Sequence, residues 1–333
     1  DGFILSKREK DELIKKDIKY SEVIAKFLVG DDLNTQPNQL PTRYVINFQN
    51  WSLEIAETFS DCYKIVKEKV KPKRDLLNRE SYRKRWWQFA ERCANLYVEL
   101  SEKDYCFATS RVTKYLGFSL VNTNCIFSDA VVVINENKFL KFSIIQSCLH
   151  FEWSQKLSSG LGNTIRYTPT DCFETFPFPQ NITVSQEQKL EQIGEEYHEH
   201  RRQLMLKMQL GLTKTYNAFH AREIQENLTG FGNLLGLDKK TIEKQYGKEV
   251  WNLWNHLQKT EGVCSFEEAV AGIIELRRLH VLMDEAVLEA YGWTDPTPAL
   301  PKGEGASVTQ GFYAQGEESK SAIALRHDFY EVD

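Results

Sequence analysis

Residues 105–147 read YCFATSRVTKYLGFSLVNTNCIFSDAVVVINENKFLKFSIIQS. Four short runs rich in β-branched and aromatic residues (YCFATS, YLGFSLVN, DAVVVIN and FLKFSIIQS) follow at close spacing, broken by Asn and Asp turns, and predict strands of a small mixed sheet. One strand precedes them: in RYVINF (43–48), Tyr44, Ile46 and Phe48 alternate with other partners. The rest of the chain is helical in pattern. Ser6–Leu28 spaces Leu13, Ile14, Ile18, Val23, Ile24 and Phe27 near a helical period, and Leu53–Lys69 does the same. Asn34–Pro41, polar with two prolines, is expected as a linker.

Downstream of the sheet, Leu149–Leu157 predicts a helix and Ser158–Gly162 a flexible loop. The segment RYTPTDCFETFPFP (166–179) carries three prolines and is expected to run extended and pinned. Glu187–Leu210, Lys239–Lys259 and Phe266–Tyr291 then predict long helices, the last started by Ser265 with Glu267 and Glu268. Beyond Trp293 no apolar period appears until Ile323. The fold class is therefore α+β, a mixed α/β domain followed by a helical one.

Composition sets the class of molecule. At 333 residues, with 41% hydrophobic and 27% charged residues, the chain has room for two ordinary soluble domains. No apolar run approaches the roughly 18 residues that span a bilayer, and the first residues are too charged for a signal peptide. The cysteines (62, 93, 106, 125, 148, 172 and 264) are scattered and never spaced as CxxC. That pattern predicts reduced thiols in a cytoplasm and speaks against a zinc site.

Charge is concentrated at one place. KPKRDLLNRESYRKRWWQFAER (71–92) holds eight cations against three anions, a local +5 in a chain of net −5. Lys71, Lys73, Arg74, Arg79, Arg83 and Arg85 are the candidate phosphate contacts, since neutralising phosphates releases counterions. Trp86 and Trp87 offer either an anchor to the protein body or a face for bases. Ser110, Arg111 and Lys114 at one turn, and Arg166 and Thr168 after the 158–168 loop, are candidate base or phosphate contacts. Arg166 has three readings: guanine reader, phosphate contact, or a brace paired with an acid such as Asp171 or Glu174. An ordinary solvated surface is the plain alternative for each of these residues.

Catalytic motifs are missing. There is no glycine-rich phosphate loop, G-x-S-x-G elbow or H-E-x-x-H. Glu195-x-x-His198 is half of a di-iron motif without its second copy, and is read as a solvated helix face. Glu318-Ser-Lys320 matches only the end of a nuclease pattern.

Collinear blocks carry a resemblance: FLVGDDLN, RYVINF, IVKEKVKPKRD, YRKRWWQFAERC, SRVTKYLGF, FSDAVVV and RYTPTDCFETFPFP, continuing through HRRQLM, GLTKTYN and LHVLMDEAVLEAYGW. In order and content they resemble the C-terminal target-recognition region of MmeI-like, Type IIL restriction–modification proteins and related adenine methyltransferases. The resemblance implies recognition of double-stranded DNA and no catalytic residue in this segment; the scattered cysteines and the single Glu-x-x-His give the expectation of no metal site. The resemblance also implies that S-adenosylmethionine, with Mg as a candidate second cofactor, serves a parent protein whose methyltransferase domain lies upstream. The organisation expected is a helical connector over 1–34, a recognition domain over 35–180, a helical domain over 181–292 and, from its prolines, glycines and lack of period, a loosely ordered tail over 293–333. His220–Cys264 resembles an insertion between family blocks. A rival reading from another class is a protein-interaction module of a restriction complex, with the basic stretch as a solvated face.

Overall fold

A computed structural model of the chain describes residues 2–89, 93–160, 164–229, 234 and 236–293. Two compact units emerge, and the chain enters each more than once. The first comprises Asp1–Asp32, Leu40–Ala108 and Leu120–Asn135; the second comprises Leu33–Gln39, Thr109–Ser119 and the chain from Glu136 onward. The expected tail over 293–333 falls, apart from Trp293, outside the described residues.

The opening residues do not form the continuous helix that their apolar spacing predicts. After β1 (Ile4–Leu5), α1 (Lys7–Lys16) begins with a reciprocal cap: the Ser6 hydroxyl accepts from the Glu9 N–H while the Glu9 carboxylate accepts from the Ser6 N–H. Asp17 then turns extended, and its carboxylate caps a single tight turn, Ile18–Glu22. The chain leaves this turn as β2 (Ile24–Leu28), followed by α2 (Gly30–Thr35) and β3 (Arg43–Ile46). Val23, Ile24 and Phe27 suit a strand better than a helix, because β-branched and aromatic side chains pack well on a pleated surface. β1 and β2 both pair antiparallel with β3, Ile4 opposite Val45 and Ile24 opposite Ile46. Residues through Asp32 contribute sheet and helix to the first unit.

The helix expected over Leu53–Lys69 breaks into α3 (Leu53–Glu57) and α4 (Ser60–Lys69). The Thr58 hydroxyl donates to the Ile55 carbonyl at 2.7 Å, and Phe59 at the break goes into the core. Next come the single-turn helices α5 (Lys71–Asp75) and α6 (Glu80–Lys84), then α7 (Ala94–Leu100). Strands β4 (Tyr105–Ser110), β5 (Val112–Thr113), β6 (Ser119–Asn122), β7 (Ile126–Phe127) and β8 (Val131–Ile134) follow. β7 lies parallel to β2 and completes a sheet of order β1-β3-β2-β7; a second sheet has the order β6-β4-β8. Cys106, Phe107 and Ala108 of the central β4 are all fully buried, as a strand covered on both faces requires.

The fourth run, FLKFSIIQS, forms a helix and not a strand: α8 (Phe139–Gln146). Every residue from Phe142 to Gln146 is buried, so this part of the helix shows no polar face, and a run of eight residues is too short to declare its period. Its first N–H groups find an acceptor elsewhere in the unit, since the Glu191 carboxylate accepts from Phe139 and Leu140 at 3.1 and 2.6 Å.

α9 (Cys148–Leu157) and β9 (Ile165–Arg166) lead to one wide helical turn, Pro169–Phe173, in the segment expected to be extended. Pro169 stands at its first positions, where a missing N–H costs nothing. The remainder is helical as expected: α10 (Val184–Met208), α11 (Leu212–His220), α12 (Lys239–Tyr246), α13 (Lys248–Lys259) and α14 (Phe266–Ala290). Gly247, with φ +89°, divides α12 from α13 where the sequence suggests one helix. α8 can lie close on α10 because residue 194 is glycine; a Cβ there would collide with the Ser143 hydroxyl and the Phe139 carbonyl.

Candidate nucleic-acid interface

The basic stretch is a turn, a loop and a turn folded over buried tryptophan. Trp86 belongs to the core of the first unit and meets Tyr63 at 5.7 Å, while Trp87 is half-buried and donates its indole N–H to the Trp51 carbonyl at 3.0 Å. The two rings anchor the stretch to the protein body, so the stacking-face reading is set aside for Trp86.

Arg74 must also be moved. It is buried at 8% exposure, and its guanidinium donates to the carbonyls of Arg85, Trp86 and Gln88 at 3.2, 3.1 and 2.7 Å. Phe3 and Tyr82 lie on either side within 5.2 Å, and burial lowers its pKa. Arg74 is the brace that folds the stretch back on itself, not a phosphate contact. The other cations divide by engagement. Lys71 pairs with Asp75 at 2.7 Å, Arg79 donates to the Tyr82 hydroxyl at 2.9 Å, and Arg83 donates to the Leu77 and Asn78 carbonyls at 2.6 and 3.2 Å. Lys73 and Arg85 are exposed. Residues 90–92, and with them Arg92, lie outside the described residues.

The second unit brings together the other two sequence blocks. β5 and β9 pair antiparallel, Val112 opposite Arg166 and Thr113 opposite Ile165, and the Tyr167 N–H donates to the Arg111 carbonyl at 2.8 Å. One face of this two-stranded ribbon is inward: Thr113, Ile165 and Tyr167 are buried. The other carries Arg166 and Val112, both exposed, with Lys114 and Thr168 half-buried farther along. The pattern Ile165-Arg166-Tyr167-Thr168 alternates with period two, and that signal could have been read as a strand.

Rigid groups hold the ribbon from beneath. The Tyr167 hydroxyl lies 2.9 Å from His150 Nε2, and the Tyr167 ring meets Phe118 edge-on at 5.6 Å. Burial pushes the His150 pKa down to about 3, so the ring is neutral. The Phe118 N–H donates to Gln146 Oε1 at 2.9 Å, and the Phe118 carbonyl accepts from Arg201. Arg201, 1% exposed, also donates to Gln146 Oε1 and the Tyr216 hydroxyl, each at 3.1 Å. Nothing in the sequence distinguishes this arginine from those on the surface.

Of the candidate readers, Ser110 is corrected. It is buried, and its hydroxyl donates to the Val112 carbonyl at 2.9 Å, closing the bend between β4 and β5. Lys114 is drawn toward Asn217 Oδ1 at 3.3 Å and over the Tyr115 ring at 4.8 Å. Arg111 is half-buried at the ribbon's entry, and the Thr168 hydroxyl donates to the Arg166 carbonyl at 3.3 Å. Arg166 makes no ion pair with Asp171 or Glu174 among the described residues; the Asp171 carboxylate accepts from Thr170 at 3.4 Å. Neither acid therefore supplies the partner that the brace reading of Arg166 named. The tip of the preceding loop, 161–163, lies outside the described residues, as does Glu318-Ser-Lys320.

His198 is not on a solvated face. It is buried between Phe139 and Phe142, with ring centroids at 5.5 and 5.4 Å, and burial lowers its pKa to about 3.

Comparison with known proteins adds the family. Residues 1–180 match the family model described as "MmeI, target recognition domain". A solved structure of the Type IIL restriction–modification enzyme MmeI in complex with DNA shares the fold: TM-score 0.56 at 16% identity, covering 89% of this chain and 32% of that one. The chain thus spans about a third of the length of that enzyme. None of the curated proteins matches its sequence. Among the described residues no helix is long and apolar enough to cross a membrane.

Proposed function

The chain belongs to the MmeI target recognition domain family, and from that premise we propose that it grips duplex DNA and reads a short sequence for a restriction–modification protein. The observation that carries the assignment to residues is the β5/β9 ribbon, which presents Arg166 outward on a strand whose neighbour Tyr167 is locked in the core. A reading side chain needs such a root, because base discrimination depends on register held to a fraction of an ångström. Arg166 is the leading reader, with Arg111, Lys114 and Thr168 beside it on the ribbon. Lys73 and Arg85, with Lys71, Arg79 and Arg83 in supporting contacts, engage phosphates from the first unit. Phosphate contacts fix position and carry no base information directly.

In this reading the chemistry lies in a methyltransferase domain upstream in the same polypeptide, using S-adenosylmethionine to methylate adenine, with Mg serving any cleavage. The described cysteines are unpaired with one another, which suits a cytoplasmic protein. Selection from a pool of randomised duplexes with the intact chain tests the proposal. An enriched motif, bound with a steep salt dependence, is expected; recovery of unenriched sequences at every salt concentration would overturn it.

A further inference from the structure

Away from the ribbon's surface, three metal-ligating groups converge in the second unit. Cys148 is the first residue of α9, and His280 and Asp284 lie one turn apart on α14. Cys148 Sγ is 3.3 Å from His280 Nε2, which is 3.5 Å from Asp284 Oδ2, and the three donor atoms all lie within 4.8 Å of one another. We propose that Cys148, His280 and Asp284 bind a zinc-class divalent cation that ties α9 to α14.

The spacing fits. Bond lengths of about 2.3 Å to sulfur and 2.0–2.2 Å to nitrogen and oxygen place tetrahedral donors roughly 3.3–3.6 Å apart. Two of the three edges already have that length, and the third lies within 4.8 Å. Three protein donors leave one position, which water fills. A thiolate, an imidazole and one carboxylate select a borderline-soft cation over magnesium or calcium.

The surroundings orient the donors. The Tyr197 hydroxyl lies 3.2 Å from His280 Nδ1 and 2.8 Å from the Tyr216 hydroxyl, so the ring's other nitrogen is held and Nε2 faces the cluster. The Cys148 N–H donates to Asp284 Oδ1 at 2.9 Å, which holds the carboxylate with Oδ2 toward the histidine. A nucleophilic relay does not fit, because Asp284 approaches the same ring nitrogen as Cys148 and not the opposite one. Burial pushes the Cys148 thiol well up, so without a cation it keeps its proton. On binding, the S–H bond breaks, the sulfur–cation bond forms, and that proton leaves to solvent. His150, two residues along α9, carries the contact to Tyr167, so a cation here also stiffens the root of the ribbon.

Cobalt(II) added to the chelator-stripped intact chain reports the site. One cobalt per chain is expected, with a thiolate-to-cobalt charge-transfer band, tetrahedral visible bands and displacement by zinc. Cys148→Ser and His280→Gln, checked for folding by circular dichroism, should lose the charge-transfer band and the tetrahedral bands respectively; Cys264→Ser should keep both. X-ray absorption of the cobalt-loaded unaltered chain should find one sulfur and imidazole nitrogen in the first shell, a result that depends on no variant. An all-oxygen shell, no band in the unaltered chain, or a band that survives Cys148→Ser overturns the proposal.

Discussion

The basic stretch of the first unit holds many cations on two single-turn helices; the ribbon of the second holds few on a strand pair. In the stretch, Arg74 is committed to three carbonyls, Arg83 to two, and Lys71 to Asp75, so much of the charge shapes the segment itself. In the ribbon, the bracing falls to other residues: Tyr167, His150, Gln146 and Arg201 do it from inside, and Arg166 is left outward. In the proposed function, charge density marks where a nucleic acid is held, and a rigid root marks where it is read.

The largest effect expected from breaking this contrast is at Arg201. Arg201→Met leaves the Phe118 carbonyl and the buried Gln146–Tyr216 pair short of a donor, and should cost about 3–5 kcal/mol in chemical denaturation. Acidification comes next. His150 and His198 bind protons in the unfolded chain near pH 6.5 but in the folded chain only near about 3. Their contribution is present above pH 6.5 and is lost as pH falls toward 3, at up to about 1.4 kcal/mol per pH unit for each histidine. Denaturant midpoints measured between pH 7 and pH 5 should fall accordingly, and should fall less in His150→Gln.

Within the basic stretch, the contrast is sharpened by separating brace from grip. Arg74→Ala should lower stability by about 2 kcal/mol, because three carbonyl groups lose their shared donor. Lys73→Ala with Arg85→Ala should leave stability within about 0.5 kcal/mol and shallow the salt dependence of DNA binding by about two units. An Arg74→Ala protein of unchanged melting temperature would return Arg74 to the phosphate contacts.

What the sequence disclosed follows from this division. Short runs rich in β-branched and aromatic residues with turn residues between them, such as Tyr105–Ser110 and Val131–Ile134, were legible because that composition suits a strand buried on both faces. Phe139–Gln146 was not, since five consecutive buried residues, Phe142–Gln146, leave the short run no period to show. The segment Ser6–Leu28 misled because apolar spacing continues across Asp17, where a side-chain cap on the next turn stops the helix. At the candidate site, the family blocks contain both Arg166 and Arg74, but they could not separate the exposed one from the buried one. That distinction rests on a strand pairing across some 50 residues and on carbonyls that turn inward, and neither leaves a trace in residue type. Cys148 and His280, 132 residues apart, are hidden for the same reason.

The most direct test of the central claim compares motifs selected from randomised duplexes by the unaltered chain, by Arg166→Ala, and by Lys73→Ala with Arg85→Ala. The ribbon account predicts that Arg166→Ala relaxes one base pair of the motif, a loss of roughly 1–3 kcal/mol of discrimination there, with the remaining positions intact. The double variant should select the same motif as the unaltered chain, more weakly at every site. A motif unchanged by Arg166→Ala, or one that loses a base when Lys73 and Arg85 are removed, would contradict it.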